Sequence, residues 1–185
     1  GEFMDGTSKE GETNITNERK PLRSIHLKPD DCRACEEAVD AISIADLIVT
    51  GPGSLYTSIL PNLLIKDIRD AILKSDACKV YICNAMTQPG ETTDLSAWGH
   101  LKVIIDHTDP RIVDAVFVNK ARIPEPLYRR YREAGALPVK LDIDKIREKG
   151  YEVVTDEVLK SDGQVRHDAE KIMKSILDYY AKNTK

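Results

Sequence analysis

Apolar residues gather in short runs, and between the runs they recur at helical spacing. Asp46 to Thr50, Lys79 to Cys83 and Ala115 to Asn119 are such runs, which reads as a set of buried strands. From Ser58 to Lys74, Leu60, Leu63, Leu64, Ile68, Ala71 and Ile72 share one side of a predicted helix. Leu95 to His107 and Glu125 to Ala134 are predicted helices too. Ahead of them, Ser24 to Leu27 alternates like a strand and stops at Pro29. Asp30 or Asp31 is then placed to cap a helix whose narrow face holds Ala34, Ala38, Ala41, Ile42 and Ala45, a spacing suited to close packing on a sheet. Pro138 to Leu141 opens a shorter unit with a helix near Asp144 to Lys149. Tyr151 to Thr155 reads as a last strand and His167 to Ala181 as a terminal helix.

Strands alternating with helices in this way predict an α/β three-layer sandwich, a mostly parallel sheet with helices on both faces. The crossovers should be right-handed. Residues 24–185 form the expected domain. Residues 4–23 are polar and predict a loose segment or a weak β-ribbon, with Glu12 to Thr16 as a candidate strand. Gly1-Glu2-Phe3 ahead of Met4 reads as a cloning remnant (residues 1–3) and stays outside the fold expectation.

With 41% hydrophobic but only 5% aromatic residues, aliphatic side chains must fill the core. A net charge of −4 argues against nonspecific nucleic-acid binding, which needs a basic surface. Arg129, Arg130 and Arg132 read as a solvated helix face. No run approaches the roughly 18 apolar residues of a membrane span, and the polar amino end carries no signal peptide. Of the four cysteines, Cys32 and Cys35 have zinc-ligand spacing without a second such pair, so plain buried thiols are expected, consistent with a cytoplasmic address.

The chemistry gathers in two loops. Gly51-Pro52-Gly53-Ser54 follows a predicted strand, and its glycines let the backbone approach a ligand closely. Loop amides and the following helix start present partial positive charge to a phosphate, and Ser54, Thr57 and Ser58 add hydroxyls. The plain alternative is a tight turn with a Ser or Thr cap. The loop is neither a Walker motif nor a dinucleotide GxGxxG. In the second loop, Asn84, Thr87, Gln88, Glu91 and Thr92 crowd around Pro89-Gly90, more polar chemistry than a connection requires. Asn119 ends the next strand and is placed to reach the same crevice. His100 is a further candidate, and Trp98 reads as either a lid or a packed aromatic. His100 and His107, seven residues apart, share a helix face, but no third metal ligand is evident. No GxSxG elbow or Ser/His/Asp arrangement appears.

ADLIVTGPGSLYTSILPNLL (Ala45 to Leu64), VYICNAMTQPGET (Val80 to Thr92) and the following His100 resemble the YvcK-type gluconeogenesis factors of the CofD-like superfamily. GETNIT (Gly11 to Thr16), VFVN (Val116 to Asn119) and RHD (Arg166 to Asp168) extend the resemblance along the chain. It implies a Rossmann-like fold, often dimeric, that binds a UDP-linked sugar such as UDP-N-acetylglucosamine. It also implies a regulatory role in carbon metabolism, cell-wall supply and cell shape. The implied ligand residues are Gly51, Gly53, Ser54, Tyr56, Thr57, Ser58, Asn62, Asn84, Thr87, Gln88, Gly90, Glu91, Thr92 and Asn119. No catalytic residue is implied. The superfamily's transferases instead move a phospholactyl group from a guanosine diphosphate donor with magnesium. Their first loop reads more like Pro-Ser-Asn-Pro, so this chain sides with the regulators. Complete members begin with a GGGTG turn and an Asp-Asp-Gly-Gly segment, both missing here, so the chain is expected to be a carboxyl-terminal portion. A transferase and a purely interacting, oligomerising portion are the alternatives to a homo-oligomeric, non-catalytic nucleotide-sugar binder.

Overall fold

The computed structural model describes residues 1–161 and 163–183. The central sheet is parallel throughout: β3 (Leu47–Thr50), β4 (Cys78–Ile82), β5 (Ala115–Asn119) and β6 (Glu152–Asp156), in that spatial order. Each strand adds beside the one before it. Right-handed crossovers that always step the same way put their helices on one face. On that face Tyr81, Cys83, Val116 and Val118 meet residues of α3 (Leu60–Leu64), α5 (Ala97–His107) and α7 (Ile143–Glu148). The opposite face, with Val80, Ile82, Ala115 and Phe117, is covered by Ile172 and Ile176 of α8 (Ala169–Asn183). The expected three-layer α/β sandwich is therefore present, with very unequal helix layers.

β3 is not the buried strand its apolar run suggests. Among the described residues it hydrogen-bonds only to β4, and Val49 is 37% exposed and Ile44, just before it, 83% exposed. The predicted Ser58–Lys74 helix is broken. A wide turn over Leu55–Ile59, with the Ile59 amide donating to Ser54 O at 2.9 Å, leads into α3, and α4 (Lys66–Lys74) follows after an extended Ile65. α2 (Glu36–Ser43) starts later than either Asp30 or Asp31 would cap, with Cys35 at its N-cap and no side-chain cap. It packs on α4 rather than on the sheet. Helix α6 (Glu125–Glu133) keeps the three arginines on an exposed surface, as expected.

The amino-terminal region differs most. Glu2–Phe3, set aside as a remnant, form β1, which pairs antiparallel with β2 (Leu22–Ser24), and Phe3 is buried in the core. Glu12 to Thr16, the candidate strand, lies in helix α1 (Glu12–Glu18), whose one buried side chain, Ile15, joins the core. The strand expected at Ser24 to Leu27 shifts to β2. At the other end, β7 (Leu159–Ser161) and β8 (Val165–His167) form a hairpin before α8, so His167 sits in a strand rather than opening the helix.

The cysteines are free thiols. Cys83 alone is fully buried, and burial pushes its thiol up to about 12. Cys35 is exposed and half-buried Cys32 donates to the Pro29 carbonyl at 2.8 Å, so the expectation of plain buried thiols holds for Cys83 and not for this pair.

Candidate functional site

The two polar loops leave the carboxyl ends of neighbouring strands and touch each other. The Asn84 amide donates to the Gly53 carbonyl at 2.9 Å, and the Ser54 hydroxyl donates to Glu91 Oε2 at 2.8 Å. The Ser54 and Thr57 hydroxyls lie 2.7 Å apart. Glu91 is buried, and its second oxygen accepts the Thr16 hydroxyl of α1 at 2.9 Å. The loops thus hydrogen-bond directly to one another.

Gly51 makes the first turn with φ 82, in the left-handed region that favours glycine. A side chain there would crowd the Ile82 carbonyl of β4 at 3.0 Å. Gly51, Gly53, Ser58 and Asn62 converge on a groove of about 430 Å³ along the open side of β3, floored by Ile48, Ile59 and Leu63. A larger cavity of about 1090 Å³ lies on the far side of Thr57, between α1, the ribbon and Lys28 to Asp30. It meets the first loop only through Thr57 and Pro61, and the second loop lines neither space. The smaller groove therefore has the better claim to the loop chemistry.

The second loop is held rigidly. Thr87 exchanges two bonds with Leu137, its amide donating to Leu137 O at 2.7 Å and its hydroxyl accepting from Leu137 N at 2.9 Å. Thr92 Oγ1 accepts the Gln88 amide at 2.8 Å, and the Val139 amide donates to Ala85 O at 3.0 Å. Thr87 and Thr92 are buried, so their hydroxyls shape the loop and do not face solvent. Gln88 Oε1 is buried with no hydrogen-bond partner among the described residues, an arrangement that costs free energy until a donor arrives. Gly90, with φ 88, packs against the backbone of Arg19.

Several expected ligand residues are occupied elsewhere. Tyr56 is buried, its hydroxyl 3.4 Å from Leu22 O. Asn119 donates to Ala121 O and accepts from the Ala121 and Val158 amides, so it ties two turns together. His100 is fully buried on α5 with Nδ1 2.9 Å from Ser96 O, and burial lowers its pKa. His107 instead meets the Val103 carbonyl and the Ile25 amide, so the two histidines do not pair. Trp98 packs against the core, and its amide donates to Asp142, so it is no lid.

The family model for "2-phospho-L-lactate transferase CofD" matches residues 1–159. The chain belongs to the CofD family. Among its relatives is the "Gluconeogenesis factor" of Bacillus subtilis, 40% identical over 178 residues, covering 96% of this chain and 56% of that protein. The protein of the same name from Halalkalibacterium halodurans is 43% identical over 179 residues, with 96% and 56% coverage. A solved UPF0052-family protein from Bacillus halodurans superposes with TM-score 0.92 at 42% identity, covering 96% of this chain and 57% of that one. This CofD-family chain thus spans about half the length of the relatives it matches.

Thr16 and Arg19 escaped the site expectation because nothing local in GETNIT announces contact with a loop about 75 residues away, the separation of the Thr16–Glu91 bond. His167 is a third such residue. Burial lowers its pKa, and its interaction with the Cys83 backbone opposes that shift. Among the described residues no group of three His, Cys, Asp or Glu side chains could hold a metal ion, and both oxygens of Glu91 accept hydroxyls.

Proposed function

We propose that this CofD-family chain carries the ligand-binding loops of a regulator that binds a UDP-linked sugar without turning it over. It would act in the cytoplasm, as a homodimer or larger homo-oligomer, in carbon metabolism and the control of cell-wall supply and cell shape. The observation that carries the reading is the groove beside β3. There the Gly51–Gly53 backbone, Ser58 and Asn62 meet an apolar floor at the carboxyl ends of parallel strands, the end where α/β sheets take their ligands. Membership of the family and relatives named gluconeogenesis factor support the regulatory side.

Calorimetric titration of the full-length protein with UDP-N-acetylglucosamine tests this. Saturable binding is expected, and Gly53→Val should weaken it by at least about tenfold, since a side chain there intrudes on the ligand's approach. Unchanged affinity in the variant removes the first loop from the site.

A transferase is the second reading, favoured by the family model's own description. It would use magnesium and a guanosine diphosphate donor. Product formed by the full-length protein and abolished by Asn84→Ala would replace the regulator with an enzyme.

A further inference from the structure

Cys32 and Cys35 lie three residues apart just ahead of α2, Cys35 exposed and Cys32 half-buried. Free cysteine is among the most buried residue types, so packing does not account for Cys35. Capping does not account for it either. Cys35 is the N-cap of α2 and makes no side-chain capping bond, and Ser, Thr, Asp or Asn would stabilise that position better. Cys32 is tethered, its thiol donating to the Pro29 carbonyl at 2.8 Å.

The residues between the two thiols are pinned to α4. One oxygen of Asp67 accepts from the Arg33 guanidinium at 3.1 Å, and the other accepts from the Ala34 amide at 3.3 Å. From Cys32 to Cys35 the chain neither turns nor bends, and Cys35 is extended with ψ 146. A disulfide needs Cα atoms about 4.4–6.8 Å apart, so closing one requires this segment to draw into a turn. The Asp67 contacts oppose that movement. Ala34 and Glu36, the neighbours of Cys35, line a cavity of about 820 Å³ between α2 and α4, room enough to admit a small-molecule disulfide.

We propose that Cys32 and Cys35 form a thiol–disulfide exchange site, oxidised reversibly by the disulfide of a small thiol such as glutathione, with Asp67 as the latch that holds the reduced form. Cys35, the more open thiol, loses its proton to solvent and attacks the incoming disulfide. An S–S bond forms to one glutathione, and the other leaves as a thiolate that takes up a proton. Cys32 then gives up its proton, attacks the Cys35 sulfur and displaces the second glutathione. The two cysteines lose two electrons and two protons, and glutathione disulfide becomes two thiols. In a reducing compartment such a bond is transient and reports oxidation. Drawing in the segment frees Arg33 and Ala34 from α4 and disturbs the first turn of α2. The same helix carries Ile42 to the groove beside β3, so oxidation loosens one wall of that groove. The exchange site does not depend on what the groove binds.

The test equilibrates the full-length protein in glutathione buffers of graded redox ratio, and differential alkylation with peptide mapping reads each cysteine. Cys32 and Cys35 should oxidise together as one two-electron couple, while buried Cys83 stays reduced. Cys32→Ser should instead accumulate a glutathione mixed disulfide on Cys35. Asp67→Ala should raise the equilibrium constant for oxidation about three- to tenfold, the worth of roughly one hydrogen bond. Asp67→Asn, which keeps an acceptor for the Ala34 amide, should fall between it and wild type. Hydrogen exchange supplies the structural readout: α2 amides should exchange at least about threefold faster after oxidation, with those of α8 unchanged. A mixed disulfide that persists in wild type, or two thiols that titrate independently, overturns the exchange site. An unchanged constant in Asp67→Ala refutes the latch, and unchanged α2 exchange refutes the link to the groove.

Discussion

Gly90 packs directly on Arg19: a Cβ at position 90 would fall inside contact distance of the Arg19 Cα, carbonyl carbon and oxygen. Both residues are left-handed, with φ 88 and 50. The turn of the second loop and the end of α1 therefore fit together only as long as position 90 lacks a side chain.

Gly90→Ala should accordingly cost more than a positive φ alone. The conformation is worth about 1 kcal/mol or more, and the backbone clash adds to it. A loss of about 2 kcal/mol or more in urea unfolding is expected, with faster proteolysis within residues 4–20. A change below about 0.5 kcal/mol, the range of an indifferent surface substitution, would show that α1 is not held against the loop.

Asn84 offers a second test of how the loops are joined. Its amide donates to Gly53 O at 2.9 Å, so Asn84→Asp sets an acceptor against an acceptor. The aspartate should cost more stability than Asn84→Ala, which leaves the Gly53 carbonyl unpaired at a cost of about 1–2 kcal/mol. The order of the two urea midpoints checks this. An aspartate as stable as wild type would mean that the amide faces the other way.

Much of the sheet was legible because a strand buried on both faces needs a continuous apolar run, and VYI and AVFV supply one. Ala115–Asn119 lies where the run predicts it. Helix α1 was not legible: ETNITNE offers one apolar residue, Ile15, and no periodicity, so tertiary contact decides its state. The hairpin of β7 and β8 was missed because three-residue strands carry no pattern. For the site, loop composition pointed to two segments that the fold brings into contact. It could not show that Thr87, Thr92 and Asn119 spend their polar groups on neighbouring backbone, since those partners are brought in by folding.

The histidines set the pH response. Burial lowers the pKa of His100, opposed by the Ser96 carbonyl and Asp142, and lowers that of His167 for the same first cause. The folded protein thus keeps them neutral where the unfolded chain, with histidine near about 6.5, takes up protons. Stability is fully present above that value and is lost as pH falls through it toward the lowered folded pKa values. Asp109, held at about 2 mainly by Arg111, contributes stability above its ordinary 3.8 and changes only in stronger acid. The urea midpoint should therefore drop between about pH 7.5 and about pH 5.5, and His100→Leu should shrink the drop. An identical drop in the variant would assign the effect to other groups.

The open side of β3 bears on self-association. Among the described residues β3 pairs on one side only, which leaves its other row of amides and carbonyls beside the exposed Val49 and Ile44. An unpaired apolar edge is a template for another strand, and natural proteins guard such edges with lysine. Sedimentation velocity of this chain should therefore show concentration-dependent association. Val49→Lys should reduce it without lowering the urea midpoint by more than about 0.5 kcal/mol equivalent, because Val49 contributes little to the core. The same substitution lines the groove that holds Gly51, Gly53, Ser58 and Asn62, so it also separates two roles for that surface. Reduced association with intact nucleotide-sugar binding would assign the edge to self-contact. Loss of both would mean that ligand and strand compete for one groove. Association unaffected by Val49→Lys would remove β3 as its cause.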